Sequence, residues 1–143
     1  MGKKKEVRGS ACRRPEDKKT PRVNERQVAN QPSWRFSSVD ANGPFAWPKG
    51  AQEEAEIVSK LHNFDSMMWS AIEGSRHHVI KKDSLSKDAI RRLEEIGQDD
   101  IDEVFSFALG GLPRIICLRS GGVARLLWYD REHKVCPSIL KHT

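Results

Sequence analysis

Five residues near the C-terminal end of the chain have the side chains for phosphate chemistry: Arg114, Arg119, Arg125, Tyr129 and His133. Arginine holds a phosphate through two parallel hydrogen bonds and stacks on bases. Tyrosine can stack or move a proton. Histidine, with an ordinary pKa of ~6.5, gives or takes a proton near neutrality. Lys134 adds charge beside His133. Other chemistries fit less well. Glu132-His133-Lys134 has the E-x-K shape of metal-dependent nucleases, but those sites need an acid on a preceding strand, and no Asp or Glu lies between Glu103 and Asp130. His133-x-x-Cys136 with His77-His78 is not an established zinc spacing. Asp99, Asp100, Asp102 and Glu103 lack the order and central glycine of a calcium loop. Neither Gly110-Gly111 nor Gly121-Gly122 precedes a helix that would cradle phosphate. No serine or cysteine nucleophile with a placed histidine is identifiable. The residues therefore imply neither a metal nor a cofactor.

Strands must carry these side chains. From Val104 the apolar period is two: Val104–Leu109, Arg114–Arg119 and Val123–Asp130 are apolar runs separated by Gly110-Gly111-Leu112-Pro113 and Ser120-Gly121-Gly122. Short glycine-containing loops between such runs are hairpin connections, so the spacing predicts an antiparallel three-stranded meander. If Gly121-Gly122 is a two-residue turn, Arg114, Arg125 and Tyr129 share a face. A three-residue turn puts Arg119, Arg125 and Tyr129 together, because a one-residue slip flips a strand. Either register leaves two arginines with Tyr129 on one face.

Upstream, Trp34–Ser38 alternates as a short strand, and the Pro/Gly-rich stretch 40–50 reads as a loop folding Phe45 and Trp47 back onto the core. Ala51, Ala55, Val58 and Leu61 mark a helix over 51–62, with Glu53 and Glu54 suiting its N-terminus. A second helix is expected over 63–74, from Phe64, Met67, Met68 and Ile72. Residues 75–83 read as a loop or short edge segment. Ser86 is a good N-cap, Leu85 and Ile90 have the hydrophobic-staple spacing, and Gly97 is a stop, predicting a helix over 87–96. The expected fold is α+β, with helices on one face of a small antiparallel sheet that ends in the meander.

That order, a strand, helices, then a meander closing in a basic, aromatic and histidine-bearing segment, resembles the RelE/ParE-type toxin fold over roughly residues 33–137. The resemblance implies an endoribonuclease that cleaves ribosome-bound mRNA without metal, with Arg114, Arg119, Arg125, Tyr129 and His133 as site residues and a small antitoxin protein as partner. The loop 40–50 and the third helix before the meander depart from that pattern. The string Trp128-Tyr129-Asp130-Arg131-Glu132-His133-Lys134-Val135-Cys136-Pro137-Ser138 is also similar to that of small uncharacterised bacterial and prophage proteins, which implies a mobile-element origin.

Charge is unevenly placed along the 143 residues. Residues 1–32 hold 10 Lys/Arg against 4 Asp/Glu, and the remainder hold 15 against 16. All ten aromatic residues follow position 33. A segment so poor in apolar groups does not offset the entropy of ordering its backbone, so residues 1–32 are expected to be a disordered basic tail and 33–143 one domain. Lys3, Lys4 and Lys5, with Lys134, are the expected nucleic-acid contacts. No apolar run suggests a membrane span or secretory signal. Three cysteines without a paired motif point to a reducing cytoplasm. The competing function is a non-enzymatic protein- or nucleic-acid-binding module, using Met67, Met68, Trp69 and the Phe45/Trp47 loop as a sticky surface.

Overall fold

The strands of the computed structural model, which describes residues 30–137, are β1 (Ser33–Arg35), β2 (His78–Lys81), β3 (Glu103–Ala108), β4 (Arg114–Ser120) and β5 (Val123–Asp130). They form one sheet in the order β1-β5-β4-β3-β2. Its last three strands are the antiparallel meander that the alternating runs predict. The sheet as a whole is mixed, because β1 lies parallel to β5 with Trp34 beside Ala124 and Arg35 beside Arg125. The basic N-terminal residues, Lys3, Lys4, Lys5 and Cys12 among them, lie outside the described residues. Asn30 and Gln31, placed by composition in the tail, are anchored: Asn30 accepts the Trp69 N–H (2.6 Å), and Gln31 donates to the Ser66 carbonyl (3.3 Å).

Three helices join the strands: α1 (Gln52–Asp65), α2 (Trp69–Ile72) and α3 (Lys87–Glu95). For α1, the Glu54 carboxylate reaches back to the Gly50 N–H and the Trp47 indole N–H, both at 2.7 Å, which stands in for a capping side chain. The expected second helix over 63–74 is instead the end of α1 followed by one turn. Met68 is extended, so the apolar period at Phe64, Met67, Met68 and Ile72 is split between two elements. α3 follows its local signals closely. Ser86 Oγ accepts the Ala89 N–H (3.2 Å), Gly97 takes φ +72°, and the Gln98 and Gly97 N–H groups bond back to Leu93 and Glu94. Among the described residues no helix is long and apolar enough to cross a membrane.

Contrary to the single covered face expected from sequence, helices pack on both faces. On one, Ile57, Leu61 and Phe64 of α1 and Trp69 and Ile72 of α2 meet Phe105, Phe107, Ile115, Cys117 and Leu126. On the other, Ala89 and Leu93 of α3 join Leu85, Phe45 and Val135 against Val104, Ile116, Leu118, Leu127 and Trp128. The reason is visible in the strands: both alternating sets are apolar, so a layer left open to water would expose a full row of large side chains. Phe45 and Trp47 are buried, as the loop reading predicts.

The β4–β5 hairpin turns on two residues, with Ser120 opposite Val123 and Leu118 opposite Arg125. Two residues later the register shifts. Cys117 faces Leu126, but Ile116 faces Trp128, which leaves Leu127 as a bulge. The bulge has a use, since the Leu127 carbonyl accepts the Asp40 N–H (2.9 Å) and ties the 40–50 loop to the sheet. It also moves Tyr129 opposite Ile115, to the α1 face. Of the two registers considered from sequence, the two-residue turn is the observed one, with Arg119 opposite Ala124, but the bulge overturns its placing of Arg114 and Arg125 with Tyr129. Arg119 and Tyr129 lie on the α1 face, Arg114 and Arg125 on the α3 face, and no face holds two of these three arginines with the tyrosine.

Candidate active-site cleft

α3 and Leu85 cover only part of their face. Beyond them, where β2 starts and β5 ends, a cleft of about 850 Å³ opens. Its floor includes Ile80, Ser106 and Ala108, and its rim carries Arg76, His78, Arg114 and His133. Three separate segments supply the four rim residues. Arg76 and His78 sit at the edge-strand entry, Arg114 opens β4, and His133 lies in the turn after β5.

Each is placed by backbone geometry. Arg114 donates one guanidinium nitrogen to three carbonyls of its own loop, Gly111 (2.7 Å), Leu112 (2.9 Å) and Pro113 (3.0 Å). The side chain is thus pinned at the cleft while its other nitrogens stay free of described protein partners. His133 takes φ +59°, a left-handed conformation rarely adopted away from glycine. Asp130 holds that turn. Its buried carboxylate accepts the Lys134 and Val135 N–H groups, both at 2.8 Å, and the Val135 carbonyl accepts the Ser86 N–H at 2.8 Å. The tight turn therefore costs strain that the Asp130 bonds and the buried Val135 offset.

The two histidines differ in their protons. Burial, the Arg114 charge and His78 lower the His133 pKa, and Asp130 only partly opposes them, so the imidazole is neutral at neutral pH. His78 Nδ1 is 3.1 Å from the Val79 carbonyl, which can only accept; the proton there is on Nδ1, and Nε2 is left for exchange. Cys136 also lines the cleft, and burial raises its pKa, keeping it a thiol. His78, His133, Cys136 and Asp83 share the cleft, yet among the described residues no group of three such side chains is close enough to hold one ion.

Of the residues nominated from sequence, the structure brings Arg114 and His133 together and leaves the others elsewhere. The Arg119 guanidinium lies 4.0 Å from the centre of the Trp69 ring and is paired with Glu73, a stack that closes the α1 face. Tyr129 packs against the same core, under Arg131 at 4.9 Å. Arg131 is itself held by Glu53 at 2.6 Å. Burial and then Glu53 raise the Tyr129 pKa. Arg125 is on the cleft's side of the sheet but near its far edge, beside Arg35. Lys134 pairs with Glu132 at 3.0 Å, so the two ends of the E-x-K string neutralise each other in solvent. Arg76 and His78 were not nominated as phosphate ligands. The available signal was the polar, basic run Ser75–Asp83 around Val79-Ile80, whose edge-strand reading already puts alternate side chains on one face.

No family model matches the sequence, and neither a curated protein nor a solved structure matches it.

Proposed function

We propose that the protein is a metal-independent endoribonuclease whose active site is the cleft of Arg76, His78, Arg114 and His133. The observation that carries this reading is the convergence of two histidines and two arginines, from three segments, on one open cleft. In RNA the nucleophile is the substrate's own 2′-hydroxyl. The reaction then asks for a base, an acid and positive charge beside the phosphate, and these four side chains provide them. Neutral His133 takes the 2′-hydroxyl proton, and the oxygen forms a bond to phosphorus. The bond to the 5′-oxygen breaks, and His78, which must enter the step as an imidazolium with Nδ1–H kept on the Val79 carbonyl, gives its Nε2 proton to that leaving group. Arg114 and Arg76 offset the charge that grows on the phosphoryl oxygens. The products are a 2′,3′-cyclic phosphate and a 5′-hydroxyl end. The resemblance to RelE/ParE-type toxins supports mRNA on the ribosome as the substrate and a small antitoxin as the partner.

The test is an end-labelled oligoribonucleotide and ribosome-bound mRNA, each incubated with the purified full chain in the presence of chelator. Cyclic-phosphate ends are expected, with no cleavage where a 2′-deoxy sugar replaces the ribose. Cleavage should fall away toward acid pH as the His133 imidazole protonates, below about pH 6.5. Intact RNA in both assays, or equal cutting at the 2′-deoxy position, would overturn the reading. Binding without cleavage would leave the non-enzymatic module as the correct class.

A further inference from the structure

Arg76 and Ala108 line a second, smaller cavity as well as the cleft, on the other side of the ridge they form. This cavity, of about 260 Å³, is walled by Lys60, Asn63 and Phe64 from the end of α1, by His77, and by Leu109-Gly110 after β3. Because side chains alternate along β2 and its approach, His77 faces it while His78 faces the cleft. We infer that it is a second subsite, taking the nucleotide next to the scissile phosphate of a single-stranded RNA; the inference rests on the cleft being a phosphodiester site.

Three features support a nucleotide there. The volume is below the ~300 Å³ at which pockets for larger small molecules begin, which suits one base. The polar groups are those that read a base and hold a phosphate. Asn63 presents an amide able to pair with a base edge, and Lys60 presents a point charge. His77 accepts the Ala108 N–H on Nδ1 (3.0 Å), so its proton is on Nε2. Burial and the Arg76 and Arg114 charges lower its pKa, and the ring stays a neutral donor. The wall is preorganised, with the His77 ring set edge-on to Phe64 at 4.9 Å between centroids. Arg76 stands at the junction, where the phosphate linking two nucleotides would pass. A duplex does not fit this arrangement, since its bases are not free to splay into separate cavities.

Lys60 and Asn63 are exposed, so removing both leaves the core intact. The test measures equilibrium binding of a nucleoside 3′-monophosphate and of a tetraribonucleotide made non-cleavable by 2′-O-methylation. Wild type should bind the tetranucleotide at least tenfold more tightly than the mononucleotide. The Lys60→Ala/Asn63→Ala double variant should lose about tenfold on the tetranucleotide and nothing on the mononucleotide. If the double variant binds both ligands as wild type does, while Arg114→Ala weakens both, the cleft stands and the second subsite is wrong. If wild type binds neither ligand, the cleft reading itself fails, and the subsite with it.

Discussion

Two charged clusters sit on the α3 face of the sheet and behave in opposite ways. Around Asp40, every charge is matched. Arg92 donates to both carboxylate oxygens at 2.8 and 2.9 Å, the Trp128 indole N–H adds a bond of 2.9 Å, and the Asn42 N–H one of 3.2 Å. Burial alone would raise the Asp40 pKa, but the bonds from Arg92 and Trp128 outweigh it and hold the carboxyl below its ordinary value. Gly43, at φ +83°, leaves room for this network, since a Cβ there would come within 2.5 Å of the Arg92 guanidinium. In the cleft, by contrast, two arginines and two histidines face solvent with nitrogens the described protein does not satisfy. Charge density does not separate scaffold from site here. The separation lies in whether the donors and acceptors already have partners.

The comparison can be broken first at Asp40. Asp40→Ala leaves the Arg92 guanidinium and the Trp128 N–H without their acceptor, and should cost roughly 3 kcal/mol in urea unfolding. Because the folded pKa is lowered, the carboxylate's contribution is present above the ordinary value of 3.8 and is lost as pH falls through the folded value. The wild-type and Asp40→Ala stabilities should therefore converge below about pH 4. Parallel curves down to pH 2 would contradict the role given to this ion pair. The smallest effect is expected at Arg119. It is stacked on Trp69 and paired with Glu73, so Arg119→Ala should cost about 1 kcal/mol of stability and change RNA cleavage less than twofold. A large loss of cleavage with little loss of stability would return this arginine to the site.

These two residues also show what a single sequence discloses. The helix α3 was legible because its cap, staple and stop all fall within a dozen positions. The meander was legible because glycines mark its turns. The pairing of Asp40 with Arg92 spans 52 residues and depends on a loop in whose sequence Phe45 and Trp47 are legible as core anchors but nothing marks Asp40 as a buried partner. Nor does anything in Val123–Asp130 announce the bulge at Leu127. That one residue decided the site, since it carried Tyr129 to the opposite face from Arg114. His133 stayed in place because it follows the strand and is positioned by Asp130 rather than by the pleat. Which face a helix covers was equally hidden, because the apolar stripe of α3 fits either row of large side chains.

Single-turnover cleavage of one oligoribonucleotide by wild type and by Arg114→Ala, His133→Ala, Arg125→Ala and Tyr129→Phe, each confirmed folded by its unfolding midpoint, tests the central claim most directly. The cleft account predicts losses on the order of 100-fold or more for Arg114→Ala and His133→Ala. It predicts rates within about twofold of wild type for Arg125→Ala and Tyr129→Phe, because those side chains lie outside the cleft. Equal activity in the first pair, or a loss confined to the second, would show that the cleft is not where the chemistry occurs.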